Sequence, residues 1–265
     1  MEIKTPDQIA LMRRAGRIVG ETLQLCRDSI QPGMTADDLD RLAETYIRDH
    51  DAVPSFKGYH GFPKTLCVSV NDEVVHGIPG PRQFKSGDVV SIDCGAIFEG
   101  WHGDAAITVA LGDVPDQTKA LLAACEEALW RGIAAARIGG NVTDVSHAVE
   151  SYVHSAGDYG IVEDYVGHGI GSSMHMAPNV PNVGPPGHGP RLVRGIALAV
   201  EPMITLGGIE TDLMRDEWTV VTRDGSVAAH FEHTFTLTRT GTWVLTALDG
   251  GSARLADLGV SYGGD

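Results

Sequence analysis

The chain has 265 residues, 43% hydrophobic and 21% charged, the make-up of a folded globular protein with a sizeable core. Thirty-five acidic residues against 20 basic ones leave a formal charge of −15, which argues against a phosphate-tracking surface and so against nucleic acid as a direct ligand. No run reaches the ~18 apolar residues of a membrane helix; the nearest, Gly195 to Ile209, is broken by Glu201.

The first residues, Met1 to Asp7, lack the apolar core of a secretory signal. Thr5-Pro6-Asp7 reads as a helix start, with Thr as N-cap, Pro at the first helical position and an acid in the first turn. Ile9, Met12, Ile18, Val19 and Leu23 then fall at roughly helical spacing. Pro32-Gly33 ends that element, and Thr35-Ala36-Asp37 opens a second helix with Leu39, Leu42, Tyr46 and Ile47 inward. The charged residues of these helices (Arg13, Arg14, Arg17; Asp37, Asp38, Asp40) read as solvated. A Gly/Pro-punctuated stretch from Gly58 to Pro63 follows, then a strand at Leu66 to Val70 and the sequence His76-Gly77-Ile78-Pro79.

Ser91 to Asp104 reads as two strands joined by a turn at Glu99-Gly100. Asp93 and Asp104 are set among apolar neighbours, Val89, Val90 and Ile92 before them and Ala105, Ala106, Ile107 and Val109 after. A carboxylate so placed loses hydration and must regain it from a metal, a cation or several donors.

After Gly112 the pattern begins again. Asp116-Gln117 starts a helix through Leu121, Leu122, Ala128 and Leu129, and a Gly139-Gly140 break precedes a helix with Val145, Val149, Tyr152 and Val153. Tyr46-Ile47 and Tyr152-Val153 lie 106 residues apart, as do Asp38 and Asp144. His168-Gly169-Ile170 echoes His76-Gly77-Ile78. Six residues after Gly87 and Gly195 sit Asp93 and Glu201, and Glu232 opens a closing strand as Asp104 does. The reading is an internal duplication, approximately 5–112 and 114–248, within a single domain of residues 1–265. The tail 249–265, rich in Gly and Ser, reads as loosely held. Two such α+β halves predict a pseudo-twofold arrangement with a central curved antiparallel sheet backed by helices and four acids converging at the axis. Clustered carboxylates repel unless cations neutralise them, which points to a site for two divalent ions. The four cysteines (Cys26, Cys67, Cys94, Cys125) have no CxxC spacing and read as reduced, buried thiols of a cytoplasmic protein.

Ile3-Lys4-Thr5-Pro6, Gly58 to Pro63, Asn71 to Pro79, Ser91-Ile92-Asp93, His102-Gly103-Asp104, Gly167 to Gly171, Glu201-Pro202-Met203 and Phe231 to Thr234 together resemble the type I methionine aminopeptidases, over nearly the whole chain from Ile3 to about Leu248. The chain lacks the large insertion of type II relatives and resembles the short bacterial form. The resemblance implies the pita-bread fold and five metal ligands, Asp93, Asp104, His168, Glu201 and Glu232, with Asp104 and Glu232 bridging two ions. It implies removal of N-terminal methionine from peptides and nascent proteins, favouring a small second residue. A bridging hydroxide would attack the scissile carbonyl, with Glu201 as proton shuttle and His76 and His175 contacting the substrate. Four acids and one imidazole suit Mn, Fe or Co, with Zn a further candidate. Tyr59, Phe62, Cys67, His76, Met174, His175 and Trp218 match the substrate pocket; Cys67 is given no catalytic part. A monomer is implied, and the ribosome is a partner the chain itself leaves open.

The chain departs from the family pattern in several places. Ser172-Ser173 replaces a common Arg-Gly, Gly95 stands where Thr is frequent, Met174 where Phe is, and Phe56 where a small residue is. His230, where Gln is common, is read either as a donor to a metal ligand or as a solvated or core histidine. The remaining histidines (His50, His60, His102, His147, His154, His188, His233) read as structural or solvated, His102 as tethering a loop. Two other readings stand beside the aminopeptidase: an X-Pro peptidase on the same fold, and a metal-free binding protein reusing it.

Overall fold

In the computed structural model, which describes residues 1–264, Thr5 caps helix α1 (Pro6–Ser29). Its hydroxyl accepts from the Gln8 amide, and its own amide donates to the Gln8 side chain at 2.9 Å. Thr35 and Asp38 repeat the device at helix α2 (Ala36–Asp49). Helix α3 (Asp116–Ala135) follows Pro115, and at the start of helix α4 (Val142–Ala156) the Asn141 amide donates to Asp144 at 2.8 Å. Asp38 and Asp144 thus do the same work at helix starts 106 residues apart.

A nine-stranded antiparallel sheet runs in the order Val53–Pro54, Val89–Phe98, Trp101–Ala110, Glu232–Leu237, Ala197–Val200, Gly167–Gly169, Met176–Val180. Leu66–Val70 also pairs with Val89–Phe98, and Thr242–Val244 with Glu232–Leu237. The halves of the chain meet where Trp101–Ala110 pairs with Glu232–Leu237. The hairpin turn falls at Glu99-Gly100, as the sequence predicts.

Alternation along the strands divides the labour between the two faces. Ile92, Cys94, Ala96 and Ala105 pack against Ile18, Leu39 and Ile47 of α1 and α2. Leu198, Val200 and Phe235 pack against Leu129 of α3 and Val149 of α4. Each fully buried aliphatic side chain of this kind contributes about 1.5–3 kcal/mol. The opposite face carries the acids. Asp93 is directly opposite Ala106, Ala106 is opposite Glu232, and Gly95 is opposite Asp104. Paired residues share a face, so the register alone brings Asp93, Asp104 and Glu232 together.

Helix α1 approaches the C-terminal segment closely at Gly16, where an added Cβ would lie 2.3 Å from the Leu245 carbonyl oxygen. Ala is the better helix former by about 1 kcal/mol. The overlap is with backbone, however, and such overpacking costs about 1–3 kcal/mol. Gly16→Ala is therefore expected to lower the urea midpoint of unfolding. A midpoint equal to or above the parent's would show that this contact yields freely.

Several expectations are corrected. Arg13 is not solvated: its guanidinium donates to the carbonyls of Leu245, Ala247 and Leu248 at 2.6–2.9 Å. Asp40 is buried and accepts from the Thr65 and Leu66 amides, both at 2.9 Å. Leu42 and Tyr46 are half-buried, and Ala43 takes the inward place between Leu39 and Ile47. His102 stands in the strand Trp101–Ala110, where its Nδ1 lies 3.0 Å from the Ser55 hydroxyl. The tail is docked: helix α5 (Ser252–Asp257) buries Leu255, and the Gly263 amide donates to the Thr242 carbonyl at 2.8 Å. All four cysteines are free and buried, as read.

Candidate metal centre

Asp104, His168 and Glu232 each turn one ligand atom to a common point, the atoms lying within 4.8 Å of one another. Register places the two acids. His168 comes from the short strand Gly167–Gly169, where Nδ1 lies 3.0 Å from the Gly169 carbonyl and leaves Nε2 facing the acids. That nitrogen is 3.4 Å from Glu201 Oε1 and 4.0 Å from Asp104 Oδ2. Glu201 follows the strand Ala197–Val200, and Asp93 lines the same cavity. All five predicted ligands face one space.

No Lys or Arg pairs with any of these four acids among the described residues. Asp93 Oδ1, Asp104 Oδ1 and Glu232 Oε1 are buried without a hydrogen-bond partner. Burial pushes the Asp93 carboxyl up to about 7. Asp104, Glu201 and Glu232 are raised well above the ordinary carboxylate range, first by burial and then by neighbouring charge: Glu232 and Asp93 act on Asp104, Asp104 and Asp93 on Glu201, Glu201 and Asp93 on Glu232. Burial likewise depresses His168 to about 3, so its imidazole is neutral and free to ligate. Orphaned carboxylate oxygens around a neutral imidazole, with no protein cation to balance them, fit divalent metal.

The cavity beside this cluster has a volume of about 200 Å³. Tyr59, Phe62, Cys67, His76, Met174, His175 and Trp218, the full set read from the sequence, all line it. Phe62 and Trp218 meet edge to face with centroids 5.0 Å apart, and the His175 ring stands 4.2 Å from that of His168. His175 Nδ1 lies 3.0 Å from the Tyr59 hydroxyl. Burial, and then the charge of His175, depress His76 to about 4. Cys67 is held well above its ordinary value by burial, which suits a wall residue and not a nucleophile.

Val75 and Phe56 also line the cavity, and the sequence does not single them out as pocket residues. Val75 carries no chemical signal beyond its place before His76. Phe56 and Gly95 belong together, since a Cβ on Gly95 would lie 2.8 Å from the Phe56 ring. The large residue occupies space that a side chain at position 95 would take. His230 is a buried residue, its Nε2 unpartnered and 4.0 Å from Glu201 Oε2.

The family model of metallopeptidase family M24 matches residues 10–239. The chain is 49% identical to the methionine aminopeptidase of Clostridium acetobutylicum over 245 residues, 92% of this chain and 98% of that protein. The crystal structure of methionine aminopeptidase from Thermotoga maritima superposes with a TM-score of 0.91 at 42% identity, covering 93% of this chain and 99% of that one. A prolidase from Pyrococcus furiosus shares the fold at 20% identity, with a TM-score of 0.75, covering 92% of this chain and 65% of that one.

Proposed function

Since the chain belongs to metallopeptidase family M24 and, within it, to the type I methionine aminopeptidases of the pita-bread fold, we propose that Asp93, Asp104, His168, Glu201 and Glu232 hold two divalent ions and that the adjoining cavity takes an N-terminal methionine. The observation that carries this reading is the set of partnerless buried carboxylate oxygens opening onto an apolar cavity. Mn, Fe, Co and Zn all suit four acids and one imidazole. The ions, when bound, supply Lewis acidity to water and to the scissile carbonyl.

The protein's own groups do the rest. Glu201, which opens onto the cavity beside His168, accepts a proton from the attacking water and delivers it to the leaving amine. His175 donates a hydrogen bond to the carbonyl oxygen as that oxygen gains charge. His76, kept neutral by burial, hydrogen-bonds the nitrogen on the far side of the scissile bond. Tyr59, Phe62, Cys67, Met174 and Trp218 enclose the thioether side chain, a flexible and polarizable group that such a wall accommodates. The physiological substrates are then nascent chains with a small second residue, met in the cytoplasm by a monomeric single-domain enzyme. No helix among the described residues is long and apolar enough to cross a membrane.

A peptide panel tests this directly. Mn-loaded protein is expected to release methionine from Met-Ala-Ser, to act far more slowly on Met-Lys-Ser, and to leave Ala-Pro intact. Cleavage of Ala-Pro with Met-Ala-Ser untouched would replace this reading with that of an X-Pro peptidase.

A further inference from the structure

The loop joining the strands Gly167–Gly169 and Met176–Val180 carries Met174 on the cavity wall and His175 beside His168. Its outer edge is held by the far end of the chain. Glu2 Oε1 accepts the Ser172 hydroxyl at 2.7 Å, and Glu2 Oε2 accepts the Ser172 amide at 3.1 Å. Behind this pair lies Lys4, whose side chain is 1% exposed. Its ammonium is 3.6 Å from Glu2 Oε2 and donates to the Glu2 carbonyl at 3.0 Å. The Lys4 amide donates to the Gly195 carbonyl at 2.8 Å, which ties the segment to the body of the protein.

Gly171 makes the approach possible, since a Cβ there would lie 2.1 Å from Glu2 Oε2 and 2.5 Å from Lys4 Cε. The Gly171 carbonyl in turn accepts from the His102 amide at 3.0 Å, two residues before Asp104. The loop is therefore clamped between the acid-bearing hairpin on one side and Glu2 on the other. An exposed ion pair would be worth little. Here the ammonium is buried and the carboxylate takes two donors from one residue, so the geometry is charge-assisted and specific.

We propose that Glu2, Lys4 and Ser172 are positioning residues, a strap that fixes the 169–176 loop and so holds His175 where the reaction needs it. The proposal rests on the aminopeptidase reading for the role of His175. The strap requires a hydroxyl at position 172 and an acid at position 2, neither of which belongs to the ligand set or the cavity wall.

Ser172→Ala, Ser172→Thr, Glu2→Ala and the Ser172→Ala/Glu2→Ala double variant test it in the Mn-loaded enzyme. The readouts are kcat and KM on Met-Ala-Ser and amide hydrogen exchange along residues 170–176. Ser172→Ala removes the hydroxyl and leaves the Lys4–Glu2 pair in place. It is expected to speed exchange in the loop and to lower kcat by about 3–10-fold with KM within about twofold, the scale of one lost hydrogen bond. Ser172→Thr is expected to retain both, and the double variant to be no slower than Glu2→Ala alone. Unchanged loop exchange in Ser172→Ala, faster exchange with parental kcat, or losses that multiply in the double variant would each overturn the strap. Exchange is read without substrate, so failure of the strap is separable from failure of the aminopeptidase reading, which the parent protein's activity on Met-Ala-Ser decides.

Discussion

Asp104→Asn is expected to lower kcat/KM on Met-Ala-Ser by on the order of 10³-fold and to leave the purified protein short of metal. Asp104 sits 4.0 Å from His168 Nε2, shares a common point with His168 and Glu232, and has one oxygen with no partner in the protein. Asn matches its volume, so the packing survives, but a neutral amide is a far weaker ligand than a carboxylate for the proposed pair of cations. The same change removes one member of a self-repelling cluster. The metal-free variant is therefore expected to be at least as resistant to heat as the metal-free parent. A variant that lost activity and stability together would have lost its fold, and one with normal metal content would remove Asp104 from the ligand set. His175→Ala supplies the contrast. It should cost about 10²-fold in kcat, the scale of a lost donor to a developing oxyanion, with metal content unchanged.

What the sequence discloses here follows the range of the interactions. The N-caps at Thr5 and Thr35 rest on contacts three residues long and are legible in a few letters. The acid face is legible because strand alternation is local: Asp93 and Gly95 share a side whatever the rest of the fold does, and the turn at Glu99-Gly100 sets the register that brings Asp104 beside them. The candidate ligand set is what the resemblance to the type I methionine aminopeptidases implies, and the structure brings all five of those residues to one cavity.

Asp40 and Arg13 show where this kind of reading stops. Asp40 looks like one acid among three on a solvated helix, yet its partners are amides 25 and 26 residues away. The partners of Arg13 lie 232–235 residues away. The tail misled by composition. Its Gly and Ser content suggests looseness, but Gly250 and Gly251 take left-handed backbone that turns the chain back onto Val244 and Trp130, and Leu255 then finds a buried place. The Glu2–Ser172 contact spans 170 residues and carries no local mark at all.

Stripping the metal should abolish peptidase activity, and restoring it should release protons, because the cluster cannot stay fully ionised without cations. Near neutral pH the metal-free protein holds Asp93 about half protonated, and burial and mutual repulsion raise Asp104, Glu201 and Glu232 well above the ordinary carboxylate range as well. Calorimetric titration of metal-free protein with Mn²⁺ at pH 7, in two buffers of different ionisation enthalpy, is expected to show release of at least one proton per protein. The sign for stability follows from the same shifts. A carboxyl raised from the ordinary value to about 7 contributes stability that is present below pH ~4 and lost as pH rises through 7. The buried histidines pull the other way. His76 at about 4, and His168 and His230 at about 3, contribute stability present above pH ~6.5 and lost as pH falls toward those values. Between pH ~4 and ~6.5 the two sets oppose each other, whereas above ~6.5 only the carboxyls still titrate. The metal-free protein should therefore lose thermal stability between pH 6.5 and 8, and the Mn-loaded protein should not, because the cation replaces the protons. Buffer-independent heat at pH 7, or parallel pH profiles for the two forms, would mean that the four acids are ionised before metal arrives. The repulsion on which the proposed metal site rests would then be absent.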